Sequence, residues 1–567
     1  MKRGTLIMKM SFWNRTIAKM TVVFVLCFTL AGFGTVMHGN GQGDGSVQAA
    51  QKSKTKYKIT YVLDHGKNNA KNPSTYTSSN RTIKLKNPTR KGYKFMGWYS
   101  SSSYKTKVSG IPAHAKGNKK FYAKWAPTGS NYLYVSTKGK DTNKGTFSKP
   151  FKTIQRAIRA AKPGQTIIVR SGTYVGTTTF TKSGKKNAYI TITTLKGEKP
   201  VVTDKQNSAH EAIGFDMNGQ SYIKINGLQI KDIRGQVAYG IVFRGGEQNV
   251  TISNNDIYHI STTHPQDGDG EANGILLFGE SKKPIKNVLI KSNKVHDNKN
   301  GWSENISVSA NCENVRVVNN KVYNNTNIGI DFAGNAGYCK VNALDHPRNC
   351  EATGNEVYNC KSSYAKNAGI YVDGAQNITI SKNKVHHNYY GIEAGSEIWK
   401  DSFNNRDNQV KNIKITSNQI YSNSDGGVHV GGYTPVGQMD EETGYYTGVV
   451  AKVVISGNTL KENGFKNNDG GYNGEILFAK CTDITIKNNR FYKNNTEFPI
   501  FQCDRAIVAS GGLGKLTFSG NVCYSKHFDE IYSELPSTYH FTLGGRGSAV
   551  SRVSLKGRRV SLKVKSQ

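Results

Sequence analysis

Acidic residues, cysteine and proline are all scarce in this chain. Its 567 residues hold 39 Asp and Glu against 77 Lys and Arg, a formal net charge of +38. That balance fits a solubilising surface or an acidic partner such as a uronic-acid polysaccharide or an anionic cell wall. Nucleic acid is not expected, because no basic helix or zinc module accompanies the charge. There are 8 Cys, and one of them, Cys27, lies near the start. The remaining seven are scattered and odd in number, which excludes a disulfide framework and zinc spacing. Cys312 and Cys481 occupy equivalent turn positions and are expected as buried, inert thiols. Cys339 and Cys350 share one insertion and are expected to be able to pair. The 13 Pro are few beside 60 Gly, 30 Tyr and abundant Asn, which favours stacked strands and turns over helices.

Long apolar runs are confined to the start. Lys2, Arg3, Lys9, Arg15 and Lys19 precede the run from Thr21 to Met37, and Val47-Gln48-Ala49 follows. Residues 1–49 therefore read as a secretion signal. An uncleaved membrane anchor is the alternative. The expected location is secreted or cell envelope.

What is abundant is a repeat. Ile252-Ser-Asn-Asn255-Asp-Ile-Tyr258 recurs as Ile290-Lys-Ser-Asn293, Val317-Val-Asn-Asn320, Ala352-Thr-Gly-Asn355, Ile380-Ser-Lys-Asn383 and Ile415-Thr-Ser-Asn418. Ile455-Ser-Gly-Asn458, Ile486-Lys-Asn-Asn489 and Phe518-Ser-Gly-Asn521 complete the series. A fixed turn with unequal spacing is how a solenoid reads. The Asn is expected to take left-handed backbone geometry and to stack on its neighbours about 4.8 Å away. A second series comprises Asn298, Asn325, Asn388, Asn423, Asn463 and Asn494. The pattern resembles a right-handed parallel β-helix of the pectate-lyase-like superfamily over residues 131–540, an all-β fold.

Residues 50–127 read as a separate module. Tyr57-Lys-Ile-Thr-Tyr-Val opens it and Phe121-Tyr-Ala-Lys-Trp125 closes it. Between them, Gly92-Tyr93-Lys-Phe95-Met-Gly97-Trp98-Tyr99 resembles the Listeria–Bacteroides repeat, a small β-grasp-like domain. The resemblance implies a cell-envelope setting and possible wall contact. The aromatics read as the core of that small domain. After Tyr132-Leu-Tyr-Val, a helix starting near Ser148-Lys-Pro150 places Ile154, Ala157, Ile158 and Ala161 on one face and ends at Pro163-Gly164. It is expected to cap the open end of the solenoid. Residues 541–567 form a basic tail. The protein is expected to be a monomer.

Each coil carries a third strand before the repeat unit. These read Gly240-Ile-Val-Phe-Arg244, Gly274-Ile-Leu-Leu-Phe278, Asn305-Ile-Ser-Val-Ser309, Gly329-Ile-Asp331-Phe-Ala, Gly369-Ile-Tyr371-Val-Asp373, Gly391-Ile-Glu393-Ala-Gly395 and Gly427-Val-His429-Val-Gly431. The strand near Gly474 is ambiguous by one residue. Alternation turns the apolar residues inward and leaves Arg244, Asp331, Tyr371, Asp373, Glu393 and His429 on the outer face. Insertions fall on both sides of this strand, at 261–272, 334–350, 361–368, 396–411, 431–451 and 464–473. Long loops flanking one sheet make a cleft with that sheet as its floor.

Three functions fit. The resemblance to pectate lyases implies β-elimination of an acidic polysaccharide. There Asp331, Asp373 and Glu393 would hold calcium, and a basic residue would take the proton. The Asp-Gly-Phe-Ala-Ala-Lys-like run of family-nine pectate lyases is absent, so no base carries over. Lys366, Lys340 and Arg244 qualify by position, and Arg244, Tyr371 and Lys366 are the expected substrate contacts. The second function is inverting hydrolysis by Asp331 and Glu393, two rungs or roughly 9–10 Å apart at about 4.8 Å per rung. That compares with roughly 6.5–9.5 Å for such pairs. His429 would tune that pair or bind a sugar hydroxyl. The third is a non-catalytic glycan-binding adhesin. Asp267-Gly-Asp269-Gly-Glu271 resembles a calcium loop, and Glu304 sits at the expected cleft edge.

Overall fold

The computed structural model describes residues 55–205, 211–264, 270–395, 410–431, 450–465, 474–478, 481–492, 501–503, 516–523, 530–533, 541–543, 550–556 and 559–564. The expected leader and Asn494 lie outside them. So do Asp267, Asp269 and most of the insertions at 396–411, 431–451 and 464–473.

Among the described residues, successive short strands wind into three long sheets of 15, 12 and 14 strands. One turn of the winding is Ile223–Asn226 in the first sheet, Gln229–Gly235 in the second and Val237–Phe243 in the third. The next turn pairs with it in parallel, as Ile225 with Ile252, Ile230 with Ile257 and Ile241 with Ile275. Inward residues of all three sheets form one continuous core, from Val135 to Phe491. The third sheet ends differently. Its strand Glu530–Ser533 pairs antiparallel with Arg559–Val564, which pairs antiparallel with Val550–Lys556.

The corner between the first and second sheets explains the repeat. From Asn255 to Asn489, each buried Asn donates its backbone N–H and side-chain Nδ2 to the Oδ1 of the next Asn, and Asn521 ends the series. The Asn383 to Asn418 rung is 2.9 and 3.0 Å, and Asn383 Nδ2 also donates to the Ala352 carbonyl at 2.9 Å. The ladder tolerates coil lengths from 27 residues (Asn293 to Asn320) to 40 (Asn418 to Asn458), because the variable residues lie elsewhere.

The left-handed residue is not the ladder Asn, contrary to expectation, but the one before it. Asn254, Ser292, Asn319, Lys382, Ser417 and Asn488 have φ of 54–58°, and Gly fills the position at 354, 457 and 520. The turn twists one residue early and so aims the next Asn side chain into the protein, where it satisfies buried carbonyls.

The second ladder runs through Asn298, Asn325, Asn388, Asn423 and Asn463. Cys360 takes one rung, and the ladder ends on buried Glu475, whose Oε1 accepts from the Asn463 N–H at 3.1 Å.

The helix forms as Ile154–Ala160, with Thr153 as its N-cap and Ile154, Ala157 and Ile158 buried against the solenoid end. The N-terminal module is a five-stranded sheet around Ile59, Tyr76, Trp98, Phe121 and Trp125. Ala126 of this module packs with Tyr134, Ile168 and Leu195 of the solenoid. Beside them Lys124 pairs with Glu198 at 3.2 Å, and Arg170 pairs with the same carboxylate at 2.8 Å.

Cys312, Cys339, Cys350, Cys360 and Cys481 are all free and buried, so the expected Cys339–Cys350 pairing does not form. Burial pushes the Cys312 and Cys481 thiols upward, which keeps them inert.

Candidate active site

Cross-strand register in the third sheet sets one row of outward positions. Ser307 pairs with Asp331, Asp331 with Tyr371, Tyr371 with Glu393, and Glu393 with His429. The alternate residues Ile330, Phe332, Ile370, Val372, Ile392, Ala394, Val428 and Val430 are fully buried in the core. The ambiguous strand is resolved by its pairing. Ile476 matches Val428, so Leu477 follows His429 in the row and Glu475 points the other way to end the ladder.

The row faces outward, yet it is not open to water. Asp331 is 2% exposed, Glu393 1% and His429 7%. Tyr371, Tyr390 and Leu477 pack together there with Ala368. A side chain at Gly395 would strike the Tyr371 hydroxyl at 2.7 Å, so the glycine leaves the space that the tyrosine fills.

Glu393 and His429 lie on adjoining strands, and His429 Nδ1 is 2.7 Å from Glu393 Oε1. An ionised carboxylate only accepts, so Nδ1 carries the proton in this contact. The ring nitrogen with the basic lone pair is then Nε2. Tyr390 stacks on the imidazole, with centroids 5.2 Å apart. Burial, then the charges of Glu393 and Asp425, push the Tyr390 phenol upward, so it stays a hydroxyl donor at neutral pH.

The other expected residues are placed differently. Asp373 lies one row over, in register with Ala333 and Gly395. Lys366 lies on the flanking loop, its ammonium 3.4 Å from the buried carboxylate of Asp425. Arg244 is three strands from Asp331, about 14 Å at the usual strand spacing. It is bound to Glu211 at 2.6 Å and Asp216 at 3.4 Å, away from the Glu393–His429 pair. The expected calcium set of Asp331, Asp373 and Glu393 does not assemble. Tyr371 stands between Asp331 and Glu393, and His429 engages the latter. Among the described residues no three His, Cys, Asp or Glu side chains converge to hold a metal ion. Glu271, the described end of the expected calcium loop, accepts instead from the Tyr239 hydroxyl at 3.2 Å.

Residues 133–298 match the Pel9A-like right-handed β-helix region, residues 346–533 a right-handed β-helix region, and residues 57–124 the Listeria–Bacteroides repeat domain. The chain belongs to the right-handed parallel β-helix proteins of the pectate-lyase-like superfamily. This β-helix protein is 33% identical over 378 residues to the uncharacterized protein YwoF of Bacillus subtilis, covering 64% of this chain and 74% of that one. It is 29% identical over 177 residues to pectate lyase PEL9 of Emericella nidulans, covering 30% of this chain and 41% of that enzyme, less than half its length. Among solved structures it matches PfbA, a surface adhesin of Streptococcus pneumoniae, at 13% identity and a TM-score of 0.48, over 73% of this chain and 94% of that one.

Two residues of the β-helix protein's site escape a reading of outward strand positions. Tyr390 and Asp425 precede the strand glycines Gly391 and Gly426. Tyr390 stands in register with Ala368 and Gly426, and the run of small residues in that column hides its role. Only its aromatic side chain among small neighbours marks it.

Proposed function

We propose that the protein cleaves an acidic polysaccharide by β-elimination, with His429 as the base. The observation that carries this reading is the Glu393–His429 pair on the floor of the third sheet. A buried carboxylate at Nδ1 fixes the ring orientation and makes Nε2 the basic atom. In the step proposed, Nε2 takes the proton from C5 of a uronate. The C4–C5 double bond forms as the C4–O bond breaks, and the leaving oxygen takes a proton from a phenol such as Tyr390. The chain's positive charge draws in a polyanion, and salt weakens that attraction. The similarity to pectate lyase PEL9 supports the same substrate class.

A second reading rests on Asp331 and Glu393 sharing the row two strands apart, which suits hydrolysis by two carboxylates. The products decide between them. A panel of uronic-acid and neutral glycans is incubated with the protein, and unsaturated uronate is read by ultraviolet absorbance beside reducing ends. Unsaturated product is expected. Reducing ends without it move the assignment to hydrolysis, and wall binding with no turnover moves it to adhesion. Chelation is informative in the same assay. Activity lost with EDTA and restored by calcium assigns a cation to the reaction.

A further inference from the structure

Within the solenoid, the exposed aromatics of the described residues are Trp302 at 55%, Tyr338 at 47% and Phe465 at 46%. All three lie in the loops that flank the third sheet. Trp302 is in the turn before the strand Ile306–Ala310, Tyr338 follows Ile330–Ala333, and Phe465 precedes Gly474–Phe478.

Trp302 is held rigidly although it is exposed. Asn298, Asn300, Asn305 and Asn327 around its turn are all buried. Asn327 Nδ2 donates to the Trp302 carbonyl at 2.7 Å, and Asn300 Nδ2 donates to the Glu304 carbonyl at 3.2 Å. Tyr364, from the turn two strands on, lies 4.7 Å from the indole and donates its hydroxyl to the Gly301 carbonyl. Two buried amides, Asn300 and Asn327, and the Tyr364 hydroxyl thus fix a backbone whose side chain faces water. A large aromatic surface kept ordered and wet is costly unless something covers it.

Tyr338 stands on the other lip, 5.2 Å from Phe278. Burial, then Glu304, Glu271, Asp373 and Asp331, push its phenol up to about 12.

We infer that Trp302 and Tyr364, opposed by Tyr338, form a stacking subsite for a pyranose ring of the polysaccharide, remote from the Glu393–His429 pair. The rung of Trp302 lies three strands before that of Glu393, about 14 Å along the solenoid axis. A sugar there belongs to the same chain as the sugar at His429 but not to the reacting unit. A pyranose face of axial C–H bonds packs on an indole without any charged partner, so this subsite reads ring shape, while charge is read elsewhere. The inference rests on the proposed reading of the His429 site.

The test uses the full-length protein and Trp302→Ala, titrated with oligogalacturonates and alginate oligomers of graded length. Trp302→Ala is expected to weaken long oligomers about tenfold and to leave the shortest unchanged. It raises KM on polymer with kcat preserved, and Trp302→Phe restores most of the loss. Equal affinity of parent and Trp302→Ala for long oligomers overturns the subsite and leaves the His429 reading standing. No binding and no turnover of any uronan by the parent overturns both.

Discussion

His429 Nδ1 and Glu393 Oε1 lie 2.7 Å apart across adjoining strands of the third sheet. Glu393→Gln keeps an acceptor for the Nδ1 proton but removes the charge that stabilises the imidazolium. It should lower kcat less than His429→Asn, which removes the base and should cost about 10²–10⁴-fold. Equal rates in parent and His429→Asn would remove His429 from the mechanism.

The Asn ladder predicts a stability loss without a functional one. Asn383→Ala deletes the bond to the Ala352 carbonyl and the Oδ1 that accepts from Asn355 N–H and Nδ2. Chemical denaturation should show a loss of about 1–3 kcal/mol, the penalty for stranding buried groups. An unchanged midpoint would show that water replaces the amide.

A stack of six rings covers the outer face of the second sheet. Tyr258, His296, Tyr323, Tyr358, His386 and Tyr421 lie 4.6–5.2 Å apart and nearly parallel. Burial and then His387 hold His386 down to about 4, and the carboxylate of Glu356 at 3.9 Å does not offset them. A depressed pKa gives stability that is present above the unfolded value of about 6.5 and is lost as pH falls toward 4. His386→Tyr, which copies the neighbouring rungs, should flatten the loss of thermal stability between those values. His296 behaves oppositely. Burial lowers it, but Asp256 and Asp297 outweigh burial and raise it, so its contribution is present below about 6.5 and fades as pH rises.

The contact between the module and the solenoid carries a buried charge group. Burial acts to raise the Glu198 carboxyl, yet Arg170 and Lys124 outweigh it and hold the group below its usual range. Glu198→Ala leaves Lys124 buried against no carboxylate and should cost about 3–5 kcal/mol. Deleting residues 50–127 should leave a folded solenoid with a lower melting temperature, since Tyr134, Ile168 and Leu195 lose their cover. Loss of the cooperative transition in that deletion would make the module part of the solenoid's end cap.

The sequence alone determined the periodic part of this protein. A buried Asn must satisfy backbone groups in a fixed turn, so Asn255 to Asn521 recur at one offset from an aliphatic residue whatever the loop length. Strand alternation likewise assigned Asp331, Tyr371, Glu393 and His429 to one outward row. Tertiary structure decided what those side chains do. Alternation says which face a residue takes but not what covers that face, so the burial of Asp331 and Glu393 was not legible. Nor was Tyr390 over the imidazole, the engagement of Arg244 by Glu211 and Asp216, or Tyr371 standing where a cation was expected. Such contacts join residues tens of positions apart through loops of unequal length, and only the winding of the chain sets which of them meet.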